Sequence, residues 1–214
     1  MQFTVLCDMA TRVAPFVVAS ASGKATSDEA VLREAVGALT TDGASRATTQ
    51  VAIERMTETL CRRLKDDIDG CAGFRLVPVL RAGAAMWPVA NRLMGMPETR
   101  FVVGRRDPRT HTVDLRWTSS STDWGAGAVV LDPILARGDT LTAVCRTLYE
   151  MGAPAVSALV CYAAPQGILR LRREFRASDL RLRVAVAGTG LTGDGFVLPI
   201  THGDMGDKLF ETTR

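Results

Sequence analysis

The chain has 214 residues, 47% hydrophobic and 23% charged, which suits one sizeable globular domain and is too short for two full ones. Its 26 basic and 23 acidic residues leave a net charge of +3, with Arg and Lys scattered along the chain. A nucleic-acid binder is expected to concentrate them in a patch or stripe, so no nucleic-acid partner is expected, while small anionic substrates remain compatible.

From the amino terminus, "QFTVL" and "PFVVAS" read as short strands or extended segments. "VAPFVVASAS" faintly imitates the end of a signal peptide, but Asp8 precedes it and its apolar core is very short, so a cytoplasmic protein is expected. "TSDEAVLREAVGAL" predicts a helix, with Thr26 and Glu29 spaced as a capping box. A second helix is expected from about Ser45 to Ile68, where Ile53, Met56, Leu60 and Leu64 recur at helical spacing. Arg62, Arg63, Lys65 and Asp66 near its end read as a solvated face.

After Gly70 the texture changes. "FRLVPVL", "RFVVG", "GAVVLD", "AVSALVCYAA" and "LRLRVAVAG" are strand candidates. Between them, "AAMWPVANRLM", "TLTAVCRTLYEMGA" (closed by Gly152) and "PQGILRLRREF" (opened by Pro165) read as helices. Residues 1–70 are thus expected to form an amino-terminal helical part and 71–214 the core with the ligand loops, within one domain. Apolar strands alternating with helices imply an α/β fold whose central, mostly parallel sheet carries helices on both faces. Ligands bind such sheets at the carboxyl ends of the strands. Those ends are Arg81-Ala82-Gly83, Asp132-Pro133, Ala163-Ala164-Pro165 and Gly188-Thr189-Gly190.

The five cysteines are an odd number without a CxxC pair, which argues against a disulfide framework and against a zinc site. Cys145 and Cys161 sit in apolar runs and read as core residues; a nucleophilic cysteine would want a histidine partner, and the chain has only His111 and His202. No apolar run approaches the ~20 residues needed to span a bilayer, so no membrane association is expected.

"VPVLRAG", "RRDPRT", "VVLDPILARGDT", "CYAAPQGI" and "GFVLPITHGDMGDKLF" fall in the order and approximate spacing of the uracil phosphoribosyltransferases. The resemblance runs from about Leu76 to Phe210 and implies a type I phosphoribosyltransferase-like fold, with a small hood beside the core. It further implies transfer of a base to C1 of 5-phosphoribosyl-1-diphosphate with release of pyrophosphate, usually with Mg²⁺, in a homodimer. The ribosyl centre passes through an oxocarbenium-like state, so the catalytic work is positioning and electrostatics more than covalent chemistry.

Carried onto this chain, the resemblance gives Arg81 to the pyrophosphate, with Ala82 and Gly83 letting backbone amides approach; the plainer reading of Arg81 is a surface arginine at a strand end. Arg106 belongs to the arm that closes over the diphosphate, with Arg105, Arg109 and Arg116 as nearby substitutes or merely solvated residues. Where the family's arm continues with tyrosines and a lysine, this chain has "HTVDLRWTSSSTDW". Asp132 would accept hydrogen bonds from the ribose hydroxyls. Val197, Gly203 and Met205 take the backbone positions that recognise uracil, and Asp204 reaches the ribose or the metal. This last loop is one residue longer than the family's and carries Thr201 and His202; His202 is either a new base contact or a loop residue.

The phosphate loop departs most. The family's A-T-G-G-S is here Ala136-Arg137-Gly138-Asp139-Thr140, the expected binding segment for the 5′-phosphate. Asp139 reads as a helix N-cap, its carboxylate on the amides a phosphate would use. A dianionic phosphate ~5 Å from that carboxylate would meet about 6–7 kcal/mol of repulsion at an effective dielectric of roughly 20. Arg137 bridging both groups, or an outward-pointing Asp139, would remove the conflict. The reading is therefore a transferase for uracil or a related pyrimidine. The alternatives are the same scaffold with an altered base or sugar, and a non-catalytic nucleotide-binding regulator.

Overall fold

Strands β6 (Gly127–Leu131) and β8 (Ala155–Ala163) are buried along their whole length, as strands covered on both faces must be. They lie at the centre of a computed structural model that describes residues 4–5, 16–17, 27–41, 43–67, 73–107, 109–110, 112–176, 181–189 and 205–210. Around them stand β1 (Thr4–Val5), β2 (Phe16–Val17), β3 (Phe74–Leu80), β4 (Val102–Arg106), β5 (Val113–Trp117), β7 (Ile134–Leu135) and β9 (Arg181–Thr189). Among the described residues the sheet runs β1-β9-β8-β6-β3-β4-β5, with β2 added on β9 and β7 on β8. The pairs β3/β6, β6/β8 and β8/β9 are parallel, whereas β4/β5 is antiparallel.

Successive strand residues face opposite sides of a sheet, and the two cores divide accordingly. Leu76, Val129, Leu131 and Leu159 pack on one face with α1 (Ser27–Thr40), α2 (Arg46–Asp67) and α6 (Met205–Phe210). Val77, Val130, Ala158 and Val160 pack on the other with α4 (Asp139–Glu150) and α5 (Pro165–Glu174). The stripe Ile53, Met56, Leu60 and Leu64 that predicts α2 is fully inside the first core. Ser45 caps that helix, its Oγ accepting the Thr48 N–H at 3.1 Å. Thr26 lies outside the described residues.

The expected helix over 84–94 divides into a 3-10 turn (Ala82–Ala85) and α3 (Trp87–Leu93), because Pro88 favours the first turn of a helix over its interior. Gly152, at φ +84°, ends α4: the Gly152 and Ala153 N–H groups return to the Tyr149 and Leu148 carbonyls at 3.0 and 2.9 Å. That is the Schellman arrangement. The arm motif contains β5, a strand the sequence reading did not single out; β4 and β5 form a hairpin at the sheet edge. Below it Arg100, 1% exposed, donates to the Ser121 and Asp123 carbonyls at 2.8 and 2.6 Å and lies 4.5 Å from the Trp124 ring centre. Arg100 also pairs with Glu98, whose carboxyl that hydrogen bond holds below its ordinary range. Among the described residues no helix is long and apolar enough to cross a membrane.

Candidate active site

At the end of β3 the Leu80–Arg81 peptide is cis, and the chain enters the 3-10 turn. The turn seats directly on the end of β6: a Cβ added to Gly83 would lie 2.3 Å from the Leu131 carbonyl oxygen, so only glycine fits. The next residue, Asp132, is 9% exposed, and its Oδ1 accepts the Ile134 N–H at 3.4 Å. Its own N–H donates to the Leu159 carbonyl, and the Pro133 carbonyl accepts the Tyr162 N–H at 2.9 Å. These bonds tie Asp132-Pro133 to β8 and lead the chain into β7, which pairs Ile134 with Tyr162 and Leu135 with Ala163. The Arg81 turn and Asp132 thus both lie at the carboxyl edge of the sheet, at the ends of β3 and β6.

From β7 the chain passes through Ala136-Arg137-Gly138 into α4. Gly138, at φ +85°, is the N-cap, a left-handed position that glycine adopts without penalty. Asp139 is thus the first helical residue and not the cap, which corrects the sequence reading. Its side chain is 3% exposed and turned to two guanidinium groups. Arg137 Nε lies 3.4 Å from Oδ2, and Arg170 Nη1, from α5, pairs with Oδ1. Helix α5 is pressed against this loop, since a Cβ on Gly167 would lie 2.4 Å from the Ala136 carbonyl. Of the two arginines, the sequence reading considers Arg137 and overlooks Arg170. The only trace of Arg170 in sequence is its position one helical turn after Gly167.

Thr140 borders the arm: its Cγ2 lies 3.0 Å from where a Cβ on Gly104 of β4 would be. Arg106 closes β4 opposite Val113; Arg105 and Arg109 are exposed, and Arg116 pairs with Asp114 at 3.5 Å. The Arg106 side chain lies outside those described. Arg81 is half-exposed and forms an ion pair with Asp207 of α6, a residue the sequence reading passes over although it stands three places after Asp204. Met205 is buried in the first core at 5% exposure. Val197, Thr201, His202, Gly203 and Asp204 lie outside the described residues. Cys145 and Cys161 are core residues, as expected. Burial, with a smaller contribution from the Asp132 charge, pushes both thiols up to about 12.

The family model described as uracil phosphoribosyltransferase matches residues 16–212. The chain belongs to the uracil phosphoribosyltransferase family. The family match begins well before the motifs visible by eye from Leu76, and takes in α1 and α2. Relatives named uracil phosphoribosyltransferase include one from Cutibacterium acnes, 34% identical over 191 residues, covering 84% of this chain and 86% of the relative. One from Kocuria rhizophila is 31% identical, with coverage of 84% and 86%. Another, from Streptomyces griseus, is 36% identical over 140 residues, 65% of this chain and 66% of the relative's length. In solved structures, the AQ2163 protein from Aquifex aeolicus shares the fold at a TM-score of 0.70 and 21% identity, over 86% of this chain and 95% of that one. A central, mostly parallel sheet with helices on both faces is therefore the fold of this uracil phosphoribosyltransferase family member, as its sequence leads one to expect.

Proposed function

We propose that the protein transfers the phosphoribosyl group of 5-phosphoribosyl-1-diphosphate to uracil or a related pyrimidine, a salvage reaction that releases pyrophosphate. The observation that carries this reading is the seating of the Gly83 turn on the end of β6, which sets Arg81 and Asp132 on one edge of the sheet in a chain of this family. In the reaction the bond from ribose C1 to the diphosphate oxygen breaks, a bond from C1 to the base nitrogen forms, and that nitrogen loses its proton. Arg81 and the amides of Ala82 and Gly83 neutralise the departing diphosphate, and Arg106 of the arm closes over it. Asp132 accepts hydrogen bonds from the ribose hydroxyls and fixes the ring against the incoming base. The turn from Ala136 to Thr140 receives the 5′-phosphate at the start of α4. By the family resemblance, the backbone groups of Val197, Gly203 and Met205 hold the base, with Asp204 on the ribose side.

Mg²⁺ is bound typically through one or two carboxylates together with substrate phosphates, not by an all-protein cage. A carboxylate at a strand end beside a diphosphate turn fits that pattern, so Asp132, with Asp204, would hold the ion, which when bound supplies charge neutralisation for the diphosphate. We take the enzyme to act in the cytoplasm as a homodimer, on the family resemblance. The test is incubation of purified protein with phosphoribosyl diphosphate, Mg²⁺ and uracil. Release of pyrophosphate and formation of the nucleotide are expected; no turnover, and no calorimetric binding of phosphoribosyl diphosphate, would overturn the reading.

A further inference from the structure

The loop that receives the 5′-phosphate carries an acidic residue, yet this carboxylate does not take the capping position. Gly138 caps α4, and Asp139, the next residue, is buried against Arg170 and Arg137. Two guanidinium groups against one carboxylate leave the cluster positive, and both arginines keep part of their surface in solvent, 39% and 33% of the side chain. Arg170 reaches the loop because α5 presents residues three apart on one face. Gly167 abuts the Ala136 carbonyl, and one turn later the Arg170 Cδ lies 3.5 Å from where a Cβ on Gly138 would stand.

We propose that Arg170 is a positioning residue for the phosphoribosyl donor: it holds and neutralises Asp139, so that the first turn of α4 stays open to the 5′-phosphate. This rests on the transferase reading above. Arginine suits the task because it stays charged and offers a planar fork to a carboxylate. Without it, the cluster loses its net positive charge and Asp139 Oδ1 loses its partner, leaving Arg137, 3.4 Å from Oδ2, to hold the carboxylate; Oδ1 can then compete with the phosphate for the amides of the first turn.

The test is steady-state kinetics on Arg170→Ala, Arg170→Lys, Asp139→Asn and Arg170→Ala/Asp139→Asn, with calorimetry of ribose 5-phosphate against ribose on the unaltered protein. Arg170→Ala should raise the KM for phosphoribosyl diphosphate roughly tenfold or more, while kcat and the KM for uracil move less than about threefold. Adding Asp139→Asn should reverse most of that rise, and Arg170→Lys should show a smaller one. A purely structural Arg170 would cut active protein without this KM split and without rescue. If Arg170→Ala does not fold, Asp139→Asn is compared with Asp139→Asn/Arg170→Gln. Once the carboxylate is neutral, loss of the arginine should change KM by less than about threefold. An unchanged KM in Arg170→Ala, or a double variant as weak as the single, overturns the proposal while leaving the transferase reading intact. An unaltered protein that neither turns over nor binds phosphoribosyl diphosphate overturns both.

Discussion

Arg81 and Asp207, 126 residues apart in sequence, are joined in an ion pair across the turn that follows β3. Both side chains are nearly half-exposed, at 48% and 45%. Exposed pairs of this kind contribute only about 0–1 kcal/mol, because water screens them and ordering two long side chains costs entropy. A diphosphate, with more negative charge than one carboxylate, can therefore displace Asp207 from Arg81 at little cost. If Arg81 binds the diphosphate as proposed, Asp207 occupies it when no diphosphate is bound.

On the proposed reading, loss of the Arg81 charge removes a donor to the leaving group, where charge develops. Arg81→Ala is expected to lower kcat on the order of a hundredfold, the scale of losing one such donor. The melting temperature should hardly move, since the pair contributes little to stability. Asp207→Asn should act in the opposite sense on binding. It removes the competing carboxylate and should tighten pyrophosphate by up to roughly fivefold, measured by calorimetry. Weaker pyrophosphate binding in Asp207→Asn would show that the carboxylate aids the anion and does not compete with it.

Gly83 offers a steric test of the same turn. A methyl group there would stand 2.3 Å from the Leu131 carbonyl, an approach that real Cβ atoms do not make, so the turn must shift away from β6. Gly83→Ala should lose about 1–3 kcal/mol of stability and most of the activity, because the shift moves Arg81 relative to Asp132. Gly37, inside α1, is the control: nothing lies within 4 Å of its added Cβ. Gly37→Ala should be neutral or stabilising by up to roughly 1 kcal/mol, since alanine is the better helix former. Denaturant melts and the pyrophosphate assay separate the two.

What could be read in the sequence follows from how local each signal is. The apolar strand runs, the stripe of α2, Pro165 and Gly152 are local, and they locate β3, β6, β8, α2, α4 and α5 to within a residue or two. Asp132 and Arg81 stand out because polar residues at the ends of apolar strands are conspicuous. The partners were hidden because they come from elsewhere. Arg170 is one of several arginines on α5, and only the packing of Gly167 on the loop singles it out. Asp207 becomes visible as a partner only when α6 is folded against the turn after β3. The cap is Gly138, one place before the Asp139 that the residue types suggest. Asp is an ordinary N-cap, but a glycine with positive φ immediately before it takes that position.

Asp132 is expected to serve chemistry more than stability. It sits at 9% exposure at the end of β6, where its Oδ1 accepts the Ile134 N–H at 3.4 Å, a bond of modest length. Asparagine keeps the shape and can still accept from that N–H, so Asp132→Asn should fold with a melting temperature close to that of the unaltered protein. On the proposed reading it loses the negative charge offered to the ribose hydroxyls and to Mg²⁺. Pyrophosphate release with uracil should fall by about a hundredfold or more. Full activity in a folded Asp132→Asn protein would remove Asp132 from the site.

The buried thiols supply a chemical test that does not depend on the substrate. Only a thiolate attacks an alkylating agent, and burial pushes Cys145 and Cys161 up to about 12, with the Asp132 charge adding to the effect. Both therefore stay protonated at pH 8, and solvent does not reach either side chain. Iodoacetamide should therefore leave both unmodified in the folded protein and modify both in urea, as read by mass spectrometry. Transferase activity should survive the native treatment at these two positions. Rapid modification of Cys145 or Cys161 at native pH, with parallel loss of turnover, would place a reactive thiol where this structure has buried core side chains, Cys145 on α4 and Cys161 on β8.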